Sequence, residues 1–446
     1  MQKPLLAVLM SSAFLTLNAQ AADLIQVYKQ ALANDATYAS ARAALAAGQE
    51  RTTQGRSLLL PTVSASGTVS KNYGDITPSH EGEIDPNTLS PISKRDNDNY
   101  QNLWTVQLTQ PLFRWANWEQ YQQSKLQQSV AEATFAQQQE DLIVRVAQAY
   151  FDVLTAQDNL SVTRAQKEAT TEQLASAKRN FEVGTQTITD THEAQAAYDL
   201  VVAQEFAAVN DLEVKRTALQ QIIGTVPGSL STLRTGVAIA PPQPAEIDPW
   251  ISAAENQNYG VVSQNLNLEI AKREIGKQRA GHMPTLDLTA ASQHQRVTNN
   301  GLTKNNAIGV TWSVPIFSGF AVTSKVREAI SLEDKARNDL EATKRAAAQN
   351  ARQSYLGVTS GLAQVKALEA AEVSSKSALD SNKLGYQVGV RINIDVLNAQ
   401  RQLYNTQKDL SKARYDTIMN GLRLKSAAGT LKEEDLMPIN ALLTSQ

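Results

Sequence analysis

Over about eighty positions this chain is written twice, the second copy displaced by 205 residues without a gap. Tyr150, Val153, Leu174, Lys178, Gly184, Asp190, Gln195 and Gly224 recur as Tyr355, Val358, Leu379, Lys383, Gly389, Asp395, Gln400 and Gly429. A repeat this long is a duplicated structural unit, far beyond the units that stack into solenoids. It predicts an internally duplicated architecture with pseudo-twofold symmetry.

Residues 117–181 contain neither proline nor glycine, and helix formers dominate them. At about 1.5 Å per residue such a helix is roughly 100 Å long, about three times a bilayer core. Ile143, Val146, Tyr150, Val153 and Leu160 fall on a heptad seam, and Tyr355, Val358, Leu362 and Val365 repeat it in the second copy. Gln157 and Glu369 interrupt that seam, so it is too thin and polar for a self-contained bundle. A narrow stripe suits the wall of a hollow tube. Each long helix reverses at a glycine, in Val183-Gly184-Thr185 and in Val388-Gly389-Val390, and a second helix of about 35 residues follows. Asp190 and Asp395 lie near the starts of those second helices, where a carboxylate favours the dipole.

Before each long helix the period changes to two. Residues 62–70 alternate Val63, Ala65, Gly67 and Val69 against Thr and Ser, and residues 103–112 set Trp104, Val106, Leu108 and Leu112 against Thr105, Gln107 and Thr109. In the second copy Leu286, Leu288 and Ala290 oppose Asp287, Thr289 and Gln293, and Ile308, Val310, Trp312, Val314 and Ile316 oppose Gly309, Thr311 and Ser313. One apolar and one small or polar face over about ten residues describes a transmembrane barrel strand, although a half-buried strand of a soluble sandwich alternates in the same way. Pro61 and Pro284 mark where helix gives way to strand, and Pro111 and Pro315 where strand returns to helix. The loop at 72–99 is long, with six acids against Lys94 and Arg95, whereas that at 297–306 is short.

Four strands cannot close a barrel, and open edges in lipid cost several kcal/mol per unpaired backbone group. Strands must be pooled between copies, and three copies supplying about twelve strands give the simplest closed solution. The expected fold class is mainly α with a small β part: a trimeric α-helical coiled-coil tunnel plus a shared transmembrane β-barrel, four strands per chain, internally duplicated.

The first residues support passage into a membrane envelope. Lys3, an apolar run at 5–17 and small residues at Ala19, Ala21 and Ala22 read as an export signal, cleaved after Ala21 or Ala22. The absence of cysteine suits an oxidising compartment and removes thiol chemistry, while a net charge of −2 gives no basic surface for nucleic acid. No later run of about eighteen apolar residues exists to span a membrane as a helix. The divisions expected are 1–21 signal, 22–224 first repeat, 225–247 linker, 248–430 second repeat and 431–446 tail. The proline-rich linker and the tail form either a belt around the tube or two separate surface segments.

Together, the duplicated strand pair plus helical hairpin, Val183-Gly184-Thr185 through Ile188-Thr189-Asp190, and Tyr386-Gln387-Val388-Gly389-Val390-Arg391 through Asp395-Val396-Leu397 resemble the TolC family of outer-membrane efflux and export ducts. The resemblance extends from residues 22–28 to residues 425–431. It implies a homotrimer whose barrel sits in the outer-membrane lipid and whose helical tunnel crosses the periplasm. It also implies a periplasmic adaptor protein and an inner-membrane transporter of RND, ABC or MFS type, with drugs, bile salts or proteins as cargo. Carried residue by residue, it assigns a periplasmic gate in which Tyr386 and Arg391 face Gln173, Thr189 and Asp190. Adaptor contact falls on Val183, Gly184, Val388 and Gly389.

Asp395 matches the upper of two aspartate rings at the family's entrance, and Asn398 stands where the lower would be. Three Asp395 carboxylates about one axis would suit a hard cation. The alternatives are a helix N-cap for Asp395, with Asp190 capping in the first copy, and a plain surface ion pair for Arg391 with Asp190. No cofactor is expected, and no paired acid and base, nucleophile motif or phosphate loop supports an enzyme. The competing reading is a trimeric, barrel-anchored stalk or adhesin, which would call for a filled apolar seam and a terminal strand.

Overall fold

A computed structural model describes residues 21–93, 95–96, 98–234, 236–298 and 301–444. Apart from Ala21, the expected signal lies outside the described residues, as do Lys94 and residues 445–446 of the tail. In order, the elements are α1 (Leu24–Asn34), α2 (Ala36–Ser57), β1 (Thr62–Asn72), the short strands β2 (Asp75–Ile76) and β3 (Arg95–Asp96), and β4 (Asn99–Phe113). They continue through α3 (Trp115–Glu182), α4 (Ile188–Ile223), β5 (Thr232–Leu233), α5 (Asp248–Gln257), α6 (Tyr259–Arg279), β6 (Thr285–Val297) and β7 (Gly301–Ser313). The last are α7 (Ala321–Gln387), α8 (Asn393–Ala427), α9 (Leu436–Asn440) and β8 (Leu443–Thr444). The long helices have 68 and 67 residues and their partners 36 and 35. No helix among the described residues is long and apolar enough to cross a membrane.

The chain divides into two compact units. One comprises residues 45–132 and 263–341 and contains an antiparallel four-stranded sheet in the order β1-β4-β6-β7, leaving β1 and β7 as edges. Its register sorts the side chains into two faces. Leu108, Val63, Ala290 and Ile308 share one row of the apolar face, and Leu286 pairs with Trp312 nearer the end of that face. Thr109, Thr62, Thr289 and Gly309 form a row of the opposite, small and polar face.

Three expectations are corrected in this sheet. Val314 and Ile316 lie beyond β7, which ends at Ser313 because Pro315 cannot donate to a ladder. Pro111 is inside β4, at a register shift between Pro111 and Phe113, where a bulge tolerates the missing N–H. The second loop is shorter than 297–306, since β6 runs to Val297 and β7 starts at Gly301.

Helical segments pack tightly in the same unit. A Cβ on Gly48 would collide with that of Ala131, so only glycine lets α2 approach α3 there. Arg114 holds Asp287 through two charge-assisted bonds of 2.8 and 2.6 Å, fixing the start of α3 against β6.

The second unit comprises residues 21–44, 133–262 and 342–444 of the described chain. Its largest core joins Leu24, Val27 and Tyr28 of α1 to residues of α3 and α8, among them Tyr150, Phe151, Leu154, Met419 and Leu422. The Tyr150 hydroxyl donates to the Ser231 carbonyl at 2.7 Å, tying the linker to α3. β5 of the linker pairs with β8 of the tail, so those two segments lie together. Elsewhere the seam is as polar as its sequence: Gln166, Thr170, Gln400, Thr406 and Thr417 are all buried.

Candidate gate at the hairpin tips

Both hairpins reverse through the same backbone device. At the end of α3, the N–H of Thr185 donates to the carbonyl of Asn180 at 2.8 Å and that of Gly184 to Phe181 at 2.9 Å. At the end of α7, Val390 donates to Gly385 at 2.9 Å and Gly389 to Tyr386 at 3.2 Å. These are paired Schellman bonds, closed by glycines with φ of 75° and 80°. The turns expose apolar side chains: Val183 is 72 % exposed, Val388 64 % and Val390 75 %. These three bare branched residues at the tips form a surface suited to a partner.

After the turns the two copies diverge. In the first, Thr187 is the N-cap of α4 and forms a capping box with Asp190, whose carboxylate accepts from the Thr187 N–H at 3.1 Å and hydroxyl at 2.8 Å. Asp190 is therefore the third residue of the box and not the cap. In the second, Ile392 occupies the N-cap of α8 and offers no side-chain bond. Asp395 accordingly does not cap either. It pairs with Arg391 of its own turn at 3.6 Å.

That pair replaces the expected contact of Arg391 with Asp190. The Asp190 carboxylate is already engaged in the capping box, while Asp395 lies one helical turn beyond Arg391. Gly385 makes room for the arginine stem, since a Cβ there would meet Arg391 Cγ at 2.7 Å.

The hairpins are joined by residues the sequence reading passed over. Tyr386 donates its hydroxyl to Gln186 Oε1 at 2.7 Å. Asn393, fully buried, accepts from Gln173 Nε2 at 2.7 Å and donates to the Asp190 carbonyl at 3.0 Å. Gln173, Tyr386 and Asp190 thus belong to one linkage, with Gln186 and Asn393 as its unforeseen members, while Thr189 is exposed and stands outside it. Both missed positions were visible as breaks in the repeat: Gln186 aligns with Arg391, and Asn393 with Ile188.

Apolar contacts complete the joint. Leu174, Ala177 and Ala194 of the first hairpin bury Leu397 of the second, and Leu379, Val396 and Leu403 pack within the second, with Tyr386 at their edge. Within the first hairpin, Lys167 and Arg164 hold Glu205 at 2.7 and 3.2 Å and keep its carboxyl below the usual range. Arg414 and Glu369 staple α8 to α7 at 2.7 Å.

Arg391, Asp395 and Asn398 share an open groove of about 590 Å3 with Ser374, Ser375 and Asn382 of α7. No group of three His, Cys, Asp or Glu side chains that could hold a metal occurs among the described residues of one chain. A cation at Asp395 would therefore need carboxylates from further copies.

Residues 27–225 and 250–430 match the family model described as outer membrane efflux protein. The chain is 33% identical over 448 residues to the outer membrane protein TolC of Vibrio cholerae, covering 98% of each. It is 30% identical to the proteases secretion protein PrtF of Dickeya chrysanthemi, covering 96% of this chain and 92% of that one. The solved outer membrane protein VceC of Vibrio cholerae superposes with a TM-score of 0.76 at 17% identity, over 91% of this chain and 96% of the other. The family match spans both copies of the repeat, and this chain belongs to the outer membrane efflux protein family.

Proposed function

We propose that three copies of this chain form a gated duct through which an inner-membrane transporter, coupled by a periplasmic adaptor, expels small molecules or proteins. The observation that carries this reading is the open four-stranded sheet, with one apolar face and two unpaired edges. In lipid such edges are satisfied only by neighbouring copies, which closes a barrel of about twelve strands. The chain performs no chemistry of its own, and the driving energy belongs to the transporter, of RND, ABC or MFS type.

The gate is the linkage between hairpins. Tyr386 with Gln186, and Asn393 with Gln173 and Asp190, hold the second hairpin against the first, while Arg391 with Asp395 braces the second turn, and release of these bonds untwists it. Around a threefold axis Asp395 forms a carboxylate ring open to a divalent cation, and Asn398 contributes no charge beneath it. The exposed Val183 and Val388, at the turns made by Gly184 and Gly389, present the adaptor surface.

Single-channel conductance in planar bilayers tests the proposal. Small pores, blocked from one side by a divalent cation in the wild type and unblocked in Asp395→Ala, are expected. Arg391→Ser with Tyr386→Phe should raise conductance. Pores indifferent to cation in both proteins would remove Asp395 from the gate, and unchanged conductance in the double variant would remove the linkage. Absence of pores would refute the duct itself.

A further inference from the structure

The apolar face of the sheet changes character toward the end that carries the loops. Below lie Leu286 and Trp312, then Leu288 and Val310, then Leu108, Val63, Ala290 and Ile308. Above, on the same face, one row contains Trp104, His294 and Lys304, the next Asn102, Arg296 and Leu302, and the next Lys71 and Tyr100. The opposite face at these heights holds Thr105, Ser66, Gln293 and Asn305, then Leu103, Thr68, Gln295 and Thr303, with no charge. The cations are therefore confined to one side of the sheet, the side whose lower rows are apolar.

Their height is informative. From Trp312 to Lys304 the strand advances about 26 Å at about 3.3 Å per residue, or roughly 20 Å along the normal at the usual barrel tilt. The Arg296 row stands at roughly 25 Å and the Lys71 row at roughly 30 Å by the same arithmetic. A barrel's apolar band is about 25 Å tall and ends in aromatic girdles. Trp312 and Phe113 lie at one end of such a band, and Trp104 and Tyr100 at the other, among the cations. Lys71 has a partial partner in Asp98 at 3.8 Å. Among the described residues, neither Arg296 nor Lys304 has an ion-pair partner. Cations without an ion-pair partner at the edge of hydrocarbon favour anions at the same level.

We infer that Arg296, Lys304 and Lys71, with Trp104 and Tyr100, form an outward-facing belt that docks the phosphate groups of an anionic lipid in the outer leaflet, whose acyl chains lie along the apolar rows beneath. The chemistry is charge-assisted bonding of Arg and Lys to phosphate oxygens at the top of a hydrocarbon band. This rests on the barrel reading above. It adds that the lipid is selected by its phosphates and not only by its chains.

The test uses the full-length protein in a nonionic detergent, with lipid A carrying its phosphates, the same lipid dephosphorylated, and inorganic phosphate as probes. Binding is read by native mass spectrometry of the assembly. The wild type should retain phosphorylated lipid A at least tenfold more tightly than the dephosphorylated form, and Arg296→Gln with Lys304→Gln should lose that preference while forming channels of normal conductance. Equal retention of both lipids, or an unchanged preference in the variant, would overturn the belt. Displacement of the lipid by inorganic phosphate at equal concentration would overturn the assignment to lipid. If the same preparation forms channels without any lipid preference, only this inference falls; if it forms none, the barrel reading falls with it.

Discussion

Replacing Asn393 with alanine should loosen the proposed gate more than any other single side-chain truncation at the tips. Its amide is fully buried and serves both hairpins, accepting from Gln173 at 2.7 Å and donating to the Asp190 carbonyl at 3.0 Å. Truncation leaves the Gln173 amide donor without a partner and the Asp190 carbonyl with only its helical bond. An unpaired donor costs about 1–3 kcal/mol when water is excluded, and since Gln173 is half-buried the lower figure applies. With about 1 kcal/mol for the bond lost at Asp190, the sum is about 2 kcal/mol per chain, a factor of roughly 30 in the equilibrium between joined and separated hairpins. Tyr386→Phe removes one half-buried bond, worth about 0.5–1.5 kcal/mol, and should have the smaller effect. The assay is the open fraction of single channels at fixed voltage, with thermal unfolding of the same preparations as control. Asn393→Ala should increase the open fraction well beyond Tyr386→Phe, with little change in melting. A channel that stays closed while global melting falls would show that Asn393 only supports the fold, and would refute the linkage as a gate.

Other expectations concern the rest of the chain. Glu140 is buried and accepts from the Leu431 N–H at 3.1 Å, and burial pushes its carboxyl up to about 8 from 4.5. Because the folded value is the higher, its charging destabilises the fold, so stability should decline as pH rises from about 5 to about 8, and Glu140→Gln should flatten that decline in thermal melts. Ile308→Lys, on the apolar face near mid-band, should cost about 2–4 kcal/mol and depress assembly into vesicles, whereas Thr311→Lys on the opposite face should assemble normally; equal effects would refute the assignment of faces. Gly389→Ala places a Cβ at φ 80° and should destabilise the second turn by about 1–2 kcal/mol, seen as faster hydrogen exchange of Val390 and Arg391.

Much of the fold was legible because two strong periodicities alternate along the chain. Residues 117–181 without proline or glycine could hardly be anything but one helix, and the strict alternation at 62–70 has only one face to bury. Strand ends were harder, because Val314 and Ile316 continue the alternation past the point where Pro315 stops the hydrogen bonding, and Pro111 hides in a bulge. Pattern records which face a residue lies on, whereas a strand's end is set by which backbone N–H groups find partners.

The site was legible only in outline, and the reason is instructive about the proposed gate. The repeat aligns the glycine turns but differs at Phe181 against Tyr386, Gln186 against Arg391, Thr187 against Ile392 and Ile188 against Asn393. Three of these four differences, at Tyr386, Ile392 and Asn393, move polar capacity away from the second hairpin's own helix start and toward its neighbour. The first hairpin spends Thr187 and Asp190 on its own helix start. The second has an isoleucine at the cap, forgoing about 1 kcal/mol of local stability, and directs Tyr386 and Asn393 across to its neighbour. A hairpin that lacks its own cap and is held by bonds to another element has less to lose when those bonds break. The pseudo-symmetry is therefore broken in the sense a gate requires, a self-sufficient hairpin beside one that depends on it, and grafting a cap by Ile392→Thr should stabilise the second turn without closing the channel more tightly.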